Sequence, residues 1–236
     1  MRAAIYFTPP QNHPLTERAA IWLGRDAFDD RLTRGRDPEL DPLVSEPARY
    51  GFHATLKAPF RLRSDVPFAG FASPFAALDA AFTAFTAEQS PFELGHLAIE
   101  RIGRFFALTP LRAPAALGKL EQSVREAFEP FRAPLSEAEI QRRQPDKLTP
   151  RQRENLQRWG YPHIGEDFRF HMTLTNSVDE EAYAVERRLN THFGTVLDQS
   201  LQVAGLALFV EPQPGAPFKI HAYRPLGTAD QTENRP

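Results

Sequence analysis

A chain of 236 residues with 42% apolar and 25% charged side chains can form one large domain or two small lobes around a buried core. It has no cysteine, which removes disulfides, Cys-ligated zinc, iron–sulfur clusters and thiol nucleophiles together. A formal net charge of −2 excludes a chain-wide basic field for long nucleic acid and leaves only a local basic groove open. No stretch approaches the roughly 18 apolar residues of a membrane span, and the apolar run in Met1–Pro9 is too short for a signal peptide. The expectation is a cytoplasmic protein with no membrane partner and no long nucleic-acid partner. Oligomeric state is not specified.

In chain order, Ala3–Thr8 alternates as a first strand, with Ala3, Ile5 and Phe7 on one side and Ala4, Tyr6 and Thr8 on the other. Leu15, Ala19, Trp22 and Leu23 recur at helical spacing, and Gly24 reads as the C-cap. Asp26–Ala48 is charged and proline-punctuated and reads as loop. Arg49–Phe60 reads as a strong strand, Phe75 to Phe85 as a helix stripe, and Pro91–Pro110 as two short strands joined near Glu100–Gly103. Leu117, Leu120, Val124 and Phe128 mark a further helix, closed by Pro130.

Residues 133–167 are polar and basic and read as an inserted segment. A short helix is expected within it, capped by Thr149 with Pro150 in its first turn. Phe168–Asn176 reads as a second strong strand. Asp179–Phe193 reads as a helix capped by Ser177 or Asp179, and Leu201–Val210 with Phe218–Arg224 as a hairpin. Strand, helix and hairpin thus follow Arg49 and again follow Phe168, a two-copy duplication. The fold expected is α+β, a single bilobal domain over 1–227 whose lobes exchange strands, with antiparallel sheets, helices on the outer faces and a central groove. Residues 228–236 are expected to be a disordered tail.

The two key strands carry the chemistry. His53, Thr55 and Lys57 share one face of the first, with Arg49 and Gly51; Arg169, His171, Thr173 and Thr175 share one face of the second. Both contain His-x-Thr-Leu. Residues two apart on a strand lie roughly 6–7 Å apart, so an imidazole and a hydroxyl reach one small anion. Two such pairs converging across a pseudo-twofold axis supply two titratable imidazoles and two hydroxyl donors. That set suits metal-free phosphoryl transfer, with one neutral His taking a proton and one charged His giving one. One His-x-Thr means little; two in equivalent places of a duplicated unit mean much more.

The paired motifs resemble the 2H phosphoesterase superfamily, which includes cyclic phosphodiesterases and RNA 2′,5′ ligase-like proteins. Two longer strings, RYGFHATLKAPFRL at 49–62 and LTPRQRENLQRWGYPHIGEDFRFHMTLT at 148–175, resemble the branch encoded with bacterial phosphonate-utilisation genes. The resemblance implies a bilobal fold, a groove between the lobes and metal-independent attack on a phosphodiester, with no cofactor. It gives His53 and His171 the catalytic roles, and Thr55 and Thr173 the phosphate-holding roles. The implied partner is a small phosphate ester, and a cyclic ribose phosphate is the attractive substrate. Which histidine is the base stays open.

Lys57 and Arg169 are candidates to neutralise the phosphate; the plainer reading of each is a solvated strand-end charge. Tyr6, and Tyr223 with Lys219 and His221 on one face of the last strand, contact substrate if those faces line the groove. His163 precedes the second motif as a loop or lid residue, while His13, His96 and His192 read as structural or solvated. Arg142, Arg143, Lys147, Arg151, Arg153 and Arg158 form either a basic rim or a solvated insert. There is no His-x-His, no His-Glu-x-x-His, and no carboxylate on either histidine row, so no metal site is expected. No phosphate-binding P-loop or dinucleotide glycine motif occurs. The alternatives are a 2′,3′-cyclic nucleotide or RNA-end phosphodiesterase, and a nucleotide-binding protein without turnover.

Overall fold

The computed structural model describes residues 1–227. The tail expected at 228–236 lies outside the described residues. The chain runs β1 (Arg2–Phe7), α1 (Pro14–Leu23), β2 (Arg25–Asp26), β3 (Arg31–Leu32), α2 (Asp41–Tyr50) and β4 (Ala54–Arg61). It continues with α3 (Pro74–Glu88), β5 (Phe92–Gly95), β6 (Leu97–Ile102), β7 (Phe105–Pro110) and α4 (Ala115–Ala127). The segment 133–167 carries α5 (Glu137–Arg142) and α6 (Pro150–Trp159). After it come β8 (Met172–Thr173), α7 (Ala182–Leu197), β9 (Leu201–Val203), β10 (Gly205–Glu211) and β11 (Lys219–Pro225).

The class is α+β. Seven strands form one antiparallel sheet in the order β11-β10-β1-β4-β8-β7-β6, while β2–β3 and β5–β9 are separate two-stranded ladders. The sheets of the two halves are therefore joined edge to edge. Their seam is the narrow ladder between the two motif strands, where Ala54 faces Met172. The C-terminal hairpin β10–β11 lies beside β1, in the half of the sheet that holds the first motif.

One face of this sheet is covered by helices. Trp22 of α1, Phe82 of α3, Val124 of α4, and Leu189 and Phe193 of α7 pack on Ile5, Leu56, Leu108 and Met172 in one cluster. A smaller cluster on the opposite face joins Ala4, Tyr6, Ala207, Phe209 and Phe218. The alternation read from β1 is thus the one observed. Burying such aromatic and aliphatic side chains contributes roughly 1.5–3 kcal/mol each and dominates the stability.

Local signals set several boundaries. Gly24 closes α1 at φ 78°, and Thr149 with Gln152 forms a reciprocal capping box on α6, with Pro150 in its first turn. Other boundaries differ from the sequence reading. Asp41–Tyr50 is helix, although it contains Pro42 and Pro47. Pro42 sits in the first turn, where no N–H is needed. Pro47 deprives the Leu43 carbonyl of its helical partner, and the Asn176 backbone N–H takes that place at 2.6 Å. The Asn176 side chain accepts from Glu46 N at 3.0 Å and donates to the Pro42 carbonyl at 2.7 Å. The proline gap in α2 is therefore filled by the segment just after the second motif.

The strand expected from Arg49 begins only at Ala54, because Arg49 and Tyr50 end α2 and Gly51 turns the chain at φ 80°. A Cβ on Gly51 would lie 2.6 Å from the Ala27 Cβ, so glycine is required there. The second motif strand is also short. After Thr173, the Leu174 and Thr175 amides both turn to the Phe106 carbonyl, and the Trp22 indole donates to the Leu174 carbonyl at 2.8 Å. Three strands, not two, fill Pro91–Pro110, and β9 is split from β10. Neither Ser177 nor Asp179 caps α7: it starts at Ala182 behind Glu181, and Asp179 pairs with Arg104 instead.

Candidate active site

The seam of the sheet places the motifs. Each histidine stands immediately before its strand, and Ala54 and Met172, fully buried, point to the helices. The neighbours of each therefore point to the other face. Because the ladder is antiparallel about Ala54↔Met172, its register sets His53 opposite Thr173 and Thr55 opposite His171. The two imidazoles and two hydroxyls form a diagonal square about the local twofold. Among the described residues neither threonine hydroxyl has a hydrogen-bond partner, so both are free to turn toward a ligand.

The histidines share one local geometry. His53 Nδ1 lies 2.8 Å from the Gly51 carbonyl, and His171 Nδ1 lies 2.8 Å from the Arg169 carbonyl. A carbonyl only accepts, so Nδ1 carries the proton in both neutral rings. Nε2 is then the free basic nitrogen. Their surroundings differ. His53 stacks on Tyr6 with ring centroids 3.8 Å apart and planes 19° apart. Burial pushes the His53 pKa down to about 4, with a smaller contribution from the charge of His171. His171 is also lowered, chiefly by burial and then by the charges of Arg169 and His163. It lies beside Phe105, with ring centroids 5.8 Å apart.

A cavity of about 780 Å³ opens on this face, within the size of small-ligand sites. His53, Thr55, Thr173 and Phe105 line it, and His171 packs beside Phe105. Tyr6, Tyr50, Tyr161 and Arg143 line it as well. The Arg143 guanidinium sits over the Tyr161 ring, 5.1 Å from its centroid. Burial raises the Tyr6 and Tyr161 phenols, while Arg143 favours the ionised form of both, which sets it within electrostatic reach of each. Among the described residues no group of three or more His, Asp or Glu is arranged to hold a metal ion.

His53, Thr55, Thr173 and Tyr6, all singled out in the sequence, line the cavity. Lys57 does not. Tyr6 pairs with Thr55 but Ile5 with Lys57, so β4 carries one extra residue in a bulge and Lys57 flips to the helix side. There it is buried, and Nζ donates to Glu129 Oε2 at 2.9 Å and to the Arg125 carbonyl at 3.1 Å. Arg169 is turned to Glu100, 2.5 Å away, and reaches His171 only through its carbonyl and its charge. Tyr223 shares the face of Tyr6 but lies two strands further along, packed in the smaller apolar cluster.

His221 faces Asp79 at 3.4 Å, His13 caps α1 through Nδ1, and His192 Nε2 lies 2.7 Å from the Arg18 carbonyl. His163 lies edge-on to Tyr161. Of the basic rim expected on 133–167, only Arg143 lines the cavity; Arg151 is taken by Glu166 and Asp167. Sequence reading missed Tyr50 and Tyr161 and did not separate Arg143 from its neighbours. The only signal was the WGYP string next to the second motif.

Two His-x-Thr segments thus face each other diagonally at the seam of one antiparallel sheet. They are the motifs by which the sequence resembles the 2H phosphoesterase superfamily. The particular family follows from the sequence: the model described as "Protein of unknown function (DUF1045)" matches residues 55–219, and the chain belongs to that family.

Among curated relatives, the chain is similar to ribose 1,5-bisphosphate phosphokinase PhnN of Janthinobacterium sp. (strain Marseille), 35% identical over 228 residues, covering 92% of this chain and 49% of that protein. The protein of the same name from Laribacter hongkongensis (strain HLHK9) is 34% identical over 224 residues, with 93% and 50% covered. The chain thus spans about half the length of the curated relatives it matches. Among solved structures, TT0787 of Thermus thermophilus aligns over 97% of this chain and 100% of its own, at 14% identity and a TM-score of 0.45. E. coli LigT complexed with 3′-AMP aligns over 96% and 98%, at 14% identity and a TM-score of 0.40.

Proposed function

We propose that this protein is a metal-independent phosphodiesterase acting on a small cyclic phosphodiester, by paired-histidine acid–base catalysis. The observation that carries the reading is the register of the motif strands, which sets each imidazole across from the other motif's hydroxyl on one face of the sheet, where His53, Thr55 and Thr173 line the cavity. Both rings present Nε2 as the free nitrogen. In the proposed reaction His53, the ring held more firmly neutral, removes a proton from water as its oxygen attacks phosphorus. The bond from phosphorus to the leaving oxygen breaks, and protonated His171 gives that oxygen a proton. The product is the ring-opened phosphate monoester. Thr55 and Thr173 donate to the non-bridging oxygens.

A cyclic ribose phosphate is the substrate class we favour. The resemblance of the two long strings to the phosphonate-associated branch supports it, as does the ribose phosphate in the names of the curated relatives. The phosphokinase activity in those names is not proposed for this chain, whose sequence has no Gly-x4-Gly-Lys-Ser/Thr segment to cradle a nucleotide phosphate.

The pH dependence tests the roles. Both histidine pKa values are lowered, so both rings are neutral in the free protein at pH 7. The base needs pH above about 4, and the acid needs pH below the depressed His171 value, itself under the ordinary 6.5. The profile of kcat/KM is therefore a bell centred on the acid side of 6.5 that falls about tenfold per unit above it. An anionic substrate raises both values, so the bell for kcat lies at higher pH. A kcat/KM profile flat from pH 7 to 9 would overturn the pairing of a neutral and a charged histidine.

A further inference from the structure

Resting on this phosphodiesterase reading, we infer that the cavity contains a second anion subsite, formed by Arg143 and the Tyr6 and Tyr161 hydroxyls, that binds a phosphate monoester carried by the substrate away from its scissile phosphodiester. Arg143 lines the cavity half-buried, and among the described residues it has no carboxylate partner. The other arginine of the lining, Arg2, is held with Arg49 on the fully buried Glu211, and Arg151 of the same segment as Arg143 holds Glu166 and Asp167. A half-buried guanidinium without a counterion is costly, and its planar fork matches the oxygens of a phosphate.

The backbone is built to deliver this side chain. α5 ends at Arg142, and Gln144 adopts φ 49° and ψ 60°, a left-handed conformation unusual for a residue with a Cβ. That turn sets Arg143 over the Tyr161 ring rather than out into solvent with Arg142. Among the described residues the Tyr6 and Tyr161 hydroxyls have no internal hydrogen-bond partner, and both residues line the same cavity. One guanidinium fork and two phenols supply donors for a tetrahedral group with three free oxygens. Tyr6 also stacks on His53 at 3.8 Å. The subsite thus adjoins the histidines on the same cavity.

The test is calorimetric binding of ribose 5-phosphate and of ribose to the wild type, Arg143→Ala, Tyr161→Phe and His53→Ala, each checked for folding by its melting curve. Ribose 5-phosphate should bind at least 10- to 100-fold tighter than ribose, and Arg143→Ala should lose about that factor. Tyr161→Phe, which removes one hydroxyl and keeps the ring, should lose several-fold. Equal affinity for ribose and ribose 5-phosphate would overturn the subsite. So would binding that falls in His53→Ala but stays intact in Arg143→Ala, which would place the monoester at the histidine pair. Arg143-dependent binding without turnover of any cyclic phosphodiester would leave the subsite standing and sink the catalytic reading on which its use rests.

Discussion

Replacing either His53 or His171 with alanine should lower kcat on a cyclic phosphodiester by about 10²- to 10⁴-fold, the range for losing one positioned acid or base. The double variant should fall little further than the worse single variant, because the two rings act as base and acid in the same displacement and their losses do not add. Folding should survive. His53 gives up its stacking on Tyr6, about 0.5–1.5 kcal/mol, and leaves space that opens on the cavity, while His171 is itself only partly buried, so neither loss makes a closed void. The check is steady-state turnover beside thermal melts of the same preparations. Variants that melt normally and turn over within tenfold of the wild type would remove the histidines from the chemistry. Variants that lose activity only because they unfold would make the motifs core residues.

The second large effect concerns the residue whose role the structure reverses. Glu129→Ala should destabilise the fold by about 2–4 kcal/mol. It strips the buried Lys57 ammonium and the Arg132 guanidinium of their shared counterion, although Glu129 itself keeps a quarter of its surface in water. For a chain of this size that is roughly a 5–15 °C fall in melting temperature. Lys57→Met keeps the aliphatic stem and leaves Glu129 paired with Arg132, so it should shift the melting temperature by only a few degrees. It should also hold kcat/KM within about twofold, because Lys57 lies on the helix side of the sheet. A hundredfold loss of turnover in Lys57→Met would return that lysine to the phosphate and refute the bulge in β4.

These cases show where the sequence was readable. The histidines and threonines were found because period-two alternation and internal duplication are local, repeated signals, and helix α6 because Thr149 and Pro150 state its start. Lys57 is misplaced in the sequence reading because one extra residue between Thr55 and Lys57 turns it to the helix side, before a second register shift returns Phe60 to the core; no pattern within β4 marks a bulge imposed by its partner. Helix α2 looks like loop in the sequence because Pro47 forbids one helical bond; the replacement comes from Asn176, far along the chain. Arg143 looked like one of six basic residues in a polar segment. It is singled out only by the turn at Gln144 and by the Tyr161 ring beneath it, both tertiary facts.

The most direct measurement is turnover after exhaustive EDTA treatment, wild type beside His53→Ala and His171→Ala. The substrates are ribose 1,2-cyclic phosphate 5-phosphate, 2′,3′-cyclic nucleotides and an aryl phosphodiester. EDTA-resistant hydrolysis that both substitutions abolish is expected, with the ribose compound the best substrate. Activity that disappears with EDTA and returns with a divalent cation would contradict it, as would hydrolysis that survives the loss of either histidine.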